Sequence, residues 1–344
     1  MATIGSSYPN LIDAYKGSAE GTVVEILNRQ NPVLDDAIAT QCNMDAVHRH
    51  MIRTGLPSVS WGRLYQGVAQ SKATMQQVDD TTGWLDARSE IDKRLLALAP
   101  DPAKARLVDS APFLEAMNQE MASGVFYHDT ATTPEKFKGL AARYSTYTSG
   151  VPNIAQPKAS DQVIHGGGAG SDNTSIWFVT WGDHATSLLY PKGTKAGVKI
   201  EDKGEEPVKD ANNNTYYAKV TTFEWHIGLF VKDWRYNARV ANIDVSDMRA
   251  GSVDLWALLR KAYYRLQSRR RDAMSSRIAI YMNREVLEIL DAQSSDRALL
   301  AANPNYTGLG HAEVEGKEVR TYRGIPIRET DALLNTEAAI SAAS

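Results

Sequence analysis

Between Phe223 and Val231 an apolar residue stands at every second position: Phe223, Trp225, Ile227, Leu229 and Val231. Period-two spacing over this length predicts a half-buried strand. IWFVTW, residues 176–181, is a short run of β-branched and aromatic residues bounded by Gly182, and it also reads as a strand. Elsewhere the period changes. Phe113, Met117 and Met121 recur every fourth residue, predicting a helix over 110–123 with Ser110 as N-cap, Pro112 in the first turn and Gly124 as its stop. A second helix is predicted over 252–271, with Val253, Trp256, Leu259, Tyr263 and Leu266 on one face. RIAIYM then reads as a short buried strand, REVLEILDAQ as a third helix and EVRTYRGIPIRETDAL as a final pair of strands. The order is mixed rather than regularly alternating, so the fold class is α+β.

Three regions stand apart from this core. Residues 1–50 carry apolar residues singly among Gly, Asn, Pro and Ser, with one short helix predicted over 21–28; they read as an arm lying across something else. Residues 191–214 read as a Gly/Lys/Asp-rich excursion. Over residues 57–85 a hairpin is predicted, its first strand at 58–68 placing Val59, Trp61, Arg63 and Tyr65 on one face. ATMQQVDDT would be the return strand, with a turn near 70–72. A hairpin this polar does not stabilise itself. It needs a partner surface, and the adjacent sequence offers none.

The length of 344 residues suffices for one large or two ordinary domains, and the 43% hydrophobic share is that of a folded protein. A net charge of −3 sets up no strong field toward nucleic acid. The single cysteine, Cys42, excludes an intrachain disulfide framework. No apolar run reaches membrane-spanning length, and the N-terminus lacks the basic and apolar regions of a secretory signal. The expectation is a protein made and kept soluble in the cytoplasm, with no membrane partner.

Candidate chemistry is sparse. VIHGGGAGSDNTSIWFVTWG, residues 163–182, resembles a phosphate loop at first sight. Such a loop needs a helix after its glycines, and Lys-Ser or Lys-Thr for a Walker sequence. Here a predicted strand follows, so the loop reads as a connector. His48, His50 and Cys42 have no partner pair at zinc-finger spacing and read as surface or interface residues. Asp35-Asp36 and Asp79-Asp80 read as solvated loop charges. No nucleophile elbow and no zinc-protease motif occurs. The densest basic cluster is Arg265, Arg269, Arg270 and Arg271, suited to capping a helix C-terminus, to an intersubunit contact or, less well, to nucleic-acid phosphates. Neither a catalytic residue, a cofactor nor a metal is expected. An arm and a hairpin that both demand outside partners are marks of an assembly subunit.

The chain resembles the major capsid proteins of tailed double-stranded DNA bacteriophages with the HK97-type fold, and most closely those of epsilon15-like short-tailed phages. The general pattern lies in DLWALLRKAYYRL, IAIYMNREVLEIL and YRGIPIRETDAL. The subgroup pattern lies in EAMNQEMASGVFYHDTATTPEKFKGLAARY, GGGAGSDNTSIWFVTWG, YPKGTKAGV and VKDWRYNARVANID. The resemblance runs from the arm to about Leu333. It implies an N-terminal arm (1–50), an extended E-loop (51–92), a peripheral P-domain with a spine helix (93–150 and 319–344) and an axial A-domain (151–318).

It further implies pentamers and hexamers of an icosahedral shell around the genome, located in the virion and assembled in the host cytoplasm. The intersubunit candidates are Trp61, Arg63, Tyr65, Lys72, Arg269, Arg270 and Arg271. The implied partners are further copies of the chain, a separately encoded scaffolding protein, the portal protein, a cement protein in some members, and packaged double-stranded DNA held non-specifically. Because packing residues begin at Tyr8, no cleaved helical prosegment is expected. Lys72, near the hairpin tip, is expected to stay free of covalent crosslinks. The alternative reading is a soluble cytoplasmic enzyme whose small-molecule pocket is not evident in the sequence.

Overall fold

Trp177, Val179 and Trp181 pack on one face of a central sheet, Ile176 and Phe178 on the other, and the rest of the fold is arranged around that division. The computed structural model describes residues 31–152, 157–267, 276–295, 309–314 and 317–343. The first part of the arm, with the helix predicted at 21–28, and the basic residues Arg269, Arg270 and Arg271 lie outside the described residues. In chain order the elements are α1 (Val33–Asp36), β1 (Ala39–Gln41), β2 (Val47–Gly55), β3 (Thr74–Asp92), α2 (Lys93–Leu98), α3 (Pro102–Tyr127) and α4 (Leu140–Arg143). There follow β4 (Val163–His165), β5 (Asn173–Trp181), β6 (Thr186–Tyr190), β7 (Lys199–Lys209), β8 (Thr215–Val231), β9 (Ala238–Asp244), α5 (Val245–Arg249) and α6 (Leu255–Arg265). The last are β10 (Arg277–Met282), α7 (Arg284–Ser295), β11 (Gly310–Val314), β12 (Lys317–Tyr322) and β13 (Ile325–Glu329).

The sheet runs β11-β12-β13-β10-β5-β6-β8-β3-β2, with β9 also on β5, β4 on β9, β1 on β6 and β7 on β8. A strand buried on both faces reads as a continuous apolar run rather than an alternating one, and IWFVTW is such a strand. On one face Met117, Met121, Val125 and Phe126 of α3 pack with Trp177, Trp181, Phe223 and Tyr281. On the other, Leu255, Leu258, Leu259 and Ala262 of α6 and Val286 and Leu290 of α7 pack on Ile176, Phe178, Val240 and Ile280. The result is helix, sheet and helices in three layers, the α+β class read from the sequence. Each fully buried large side chain contributes ~1.5–3 kcal/mol, so both faces are strongly held.

The alternation in β8 holds from Phe223 to Ile227, with Glu224 and His226 partly exposed between buried Phe223, Trp225 and Ile227; from Gly228 to Val231 every residue is buried, because Phe230 is covered on the opposite face. Gly228 is needed where β8 crosses β3, because a Cβ there would come 2.9 Å from the Thr81 carbonyl oxygen. Other expectations are corrected. Helix α3 starts at Pro102, not Ser110; Asp101 caps it by accepting from the Ala103 and Lys104 amides at 3.0 and 3.2 Å. Ser110 instead donates to the Arg106 carbonyl within the helix, at 2.7 Å, and Pro112 and Gly124 are interior positions. The added turns have no apolar stripe to read. They are held by Arg106, which reaches Asp202 and Thr221 at 2.9 Å each, and by the Ser89–Asp109 hydrogen bond.

Helix α6 ends at Arg265 rather than 271, with Asp254 as its cap. Its buried face is Leu255, Leu258, Leu259 and Ala262, while Val253, Trp256 and Tyr263 only flank it. The excursion at 191–214 contains a full strand, β7, paired along β8.

Candidate intersubunit surface

β2 and β3 form a two-stranded antiparallel ribbon, from Val47 opposite Thr81 to Gly55 opposite Thr74. The remainder of β3, from Thr82, pairs with β8 in the body of the protein. Along the ribbon strands before Thr82, Asp80 alone is buried.

The ribbon is anchored at its root by chemistry the sequence concealed. His48 and His50 set their rings against Phe230, at centroid distances of 4.4 and 5.0 Å. They are half-buried packing residues, not surface histidines, and burial holds both imidazoles below their ordinary pKa. Cys42 lies beside Phe230 in the same small core, where burial pushes its thiol up. The Asp79-Asp80 pair splits between two environments. Asp79 is exposed and takes a bidentate contact from Arg49, both distances 2.8 Å. Asp80 is 3% exposed and accepts from Arg143 at 2.8 Å. It is no solvated loop charge.

Beyond the ribbon the predicted strand at 58–68 does not form. Residues 56–73 have neither strand nor helix structure. Among the described residues no strand pairs with this segment, and Pro57, Gly62 and Gly67 are poor strand residues. The chain reverses earlier than at 70–72: the Gln66 amide donates to the Arg63 carbonyl at 3.2 Å, and Tyr65 adopts φ +64°. Ser71 Oγ donates across to the Ser58 carbonyl at 2.6 Å. This tip carries Trp61, Arg63, Tyr65 and Lys72 together, with Trp61 100% and Tyr65 105% exposed. Leu56, Val59 and Leu64 are also more than four-fifths exposed.

Two further networks were missed by sequence reasoning. Asp36, at the end of α1, is 4% exposed, and Arg328 grips it through two contacts of 2.7 and 3.0 Å. The Tyr281 hydroxyl also donates to Asp36, at 2.9 Å, and itself accepts from Trp181 Nε1 at 2.8 Å. The point where the arm enters the body is thereby tied to the central sheet. The C-terminal segment is tied in the same manner. Glu337 accepts from Arg239, Ser175 and Tyr127 at 2.8, 2.5 and 2.5 Å, and Asn242 brackets Ile340 through both its amide atoms at 2.9 Å.

The glycine stretch is the connector from β4 to β5, as read from the sequence. The Gly166 and Gly168 amides are already engaged, donating to the Ala241 and Asn242 carbonyls at 2.8 Å each. A Cβ on Gly166 would lie 2.7 Å from the Asn242 oxygen, and Gly167 has φ +112°. The glycines permit close approach to β9. The loop borders a cavity of about 350 Å³ whose other walls include Asp244, Asp247, Asp254 and Lys261. Three carboxylates and engaged amides are the reverse of a phosphate cradle.

The family model for major capsid protein GP7 matches residues 15–341. Among solved structures, a chain of the near-atomic structure of bacteriophage Epsilon15 is 32% identical; the match covers 99% of each chain with a TM-score of 0.72. The capsid of bacteriophage JBD30 aligns over 94% of this chain and 98% of its own at 10% identity and a TM-score of 0.46. An encapsulin complex from Synechococcus elongatus PCC 7942 aligns over 68% and 95%, at 9% identity and 0.45. No curated protein matches the chain.

Proposed function

Because the chain belongs to the GP7 family of major capsid proteins, we propose that its ribbon and tip are the E-loop by which one copy holds the next. The protein is a coat protein with the HK97-type fold, forming the capsid shell of a phage virion. The enzyme alternative finds no support, and we read the chain as having no catalytic role. The observation that carries the E-loop reading is the tip itself, where Trp61 and Tyr65 stand fully exposed on a segment with no strand pairing. Exposed apolar groups of this density mark an interaction site.

In this reading 1–50 is the N-terminal arm, 51–92 the E-loop, 93–150 with 319–344 the P-domain, and 151–318 the A-domain. α3 serves as the spine helix. The copies form pentamers and hexamers without covalent links. Identical heterologous contacts also close wrongly or run open, which argues for a separately encoded scaffolding protein as curvature template. Portal protein, a cement protein and non-specifically held double-stranded DNA complete the set of partners. The test is to replace residues 57–72 by a short Gly-Ser turn. The protein should remain folded and soluble yet fail to close shells in electron micrographs; unfolding, or normal shells, would overturn the reading.

A further inference from the structure

From Ala46 to Val78 the chain contains no Asp or Glu and four fixed cations: Arg49, Arg53, Arg63 and Lys72. With −3 overall, a ribbon of +4 leaves −7 on the rest of the chain. Arg49 is neutralised by Asp79 at 2.8 Å. Arg53, Arg63 and Lys72 make no ion pair among the described residues. Around β7 and β8, Arg88, Lys93, Arg106, Lys199, Lys203 and Lys219 each face a carboxylate within 3.9 Å. Those six cations of the body are matched within the chain, whereas Arg53, Arg63 and Lys72 lie on a stretch that holds no carboxylate at all.

The apolar residues at the tip decide what kind of anion fits. Nucleic-acid phosphates would satisfy the three cations but leave Leu56, Val59 and Leu64, each more than four-fifths exposed, in water. An acidic protein surface with apolar hollows covers both. Resting on the E-loop reading, we infer that the tip docks on an acidic face of a second copy of this chain, with Arg53, Arg63 and Lys72 as its electrostatic guide. Exposed ion pairs contribute only ~0.2–1 kcal/mol each, so the apolar residues supply most of the holding. The cations act mainly on encounter, where complementary fields raise association rates roughly 10–1000-fold and salt removes the gain.

The experiment uses full-length subunits dissociated from purified shells, with reassociation followed by light scattering from about 50 to about 500 mM NaCl, a range over which screening becomes severe. Wild-type association should slow by about tenfold across it. The R53E/R63E/K72E variant should associate at least about tenfold more slowly at low salt, and recover as salt screens the repulsion from the acidic body. A reversed variant with wild-type rates and salt dependence would overturn the guide while leaving the docking intact. The same variant assembling normally but losing packaged DNA would assign the cations to nucleic acid instead. Normal assembly of the tip-replacement protein would sink the docking reading itself.

Discussion

Glu337 and Arg239 meet at 2.8 Å with both side chains more than nine-tenths buried, joining the C-terminal segment to β9. Arg239 also donates to Ser175 and the Tyr144 carbonyl, and lies 4.9 Å over the Trp177 ring. Removing one member of such a pair leaves an uncompensated buried charge, at a cost of ~3–5 kcal/mol. Glu337→Gln is therefore expected to lower the urea midpoint strongly. The double variant E337Q/R239M should recover part of that loss, since no lone charge remains. Equal midpoints for the wild type and E337Q would show that the tail is not fastened here.

A parallel case ties in the arm. Asp36 holds two contacts from Arg328 and one from Tyr281. Asp36→Ala should destabilise by ~3–5 kcal/mol, whereas Asp35→Ala, at an exposed neighbour, should stay within ~0.5 kcal/mol. Chemical unfolding of the two variants side by side checks this. Similar midpoints would return Asp36 to the surface, where the sequence first put it.

What could be read from the sequence depended on where each residue's partners lie. β5, β8, β10 and α7 announce themselves because their apolar spacing is local and repeats. β7 does not: among its eleven residues only Ile200, Pro207 and Val208 are uncharged apart from Gly204, and it is held by backbone pairing along β8 and by ion pairs to β8, β3, α2 and α3. Asp36 and Asp80 were read as solvated because their cations are 292 and 63 residues away in sequence. The tip was assigned strand structure from a period-two pattern that is real in sequence but has nothing to pair with in the monomer. Exposed Trp61 and Tyr65 were legible as candidates; the tie at the root, Phe230 between two histidines, was not.

The glycine loop offers a third test. A Cβ on Gly168 would fall 2.1 Å from Asn173 Oδ1 and 3.0 Å from the Asn242 carbonyl, whereas one on Gly62 would meet nothing within 4 Å. Gly168→Ala should cost ~1–3 kcal/mol through overpacking. Gly62→Ala should be neutral or stabilising by up to ~1 kcal/mol. Differential scanning calorimetry separates them. A Gly168→Ala protein melting with the wild type would mean that the glycine is kept for some purpose other than packing on β9.

The ribbon root makes stability depend on pH in a definite direction. Burial lowers the pKa values of His48 and His50, with Asp80 opposing that shift and Lys232 reinforcing it; Arg143 adds to it at His50. Neither ring nitrogen of His50, nor Nδ1 of His48, has a hydrogen-bond partner among the described residues. His128, between Glu120 and Lys136, is lowered in the same sense by its burial. For all three the unfolded chain binds the proton at higher pH than the folded one. Their contribution is intact above the unfolded value of about 6.5 and is lost as pH falls from there toward the folded values. Urea midpoints should therefore be level from pH 8 to 7 and decline between roughly pH 6.5 and 5, above the range where carboxylates such as Glu120, held low by Lys136, begin to protonate. In H48Q/H50Q the decline should shrink, because glutamine does not titrate, and what remains should come from His128. An unchanged slope in that variant would place the proton uptake somewhere other than against Phe230.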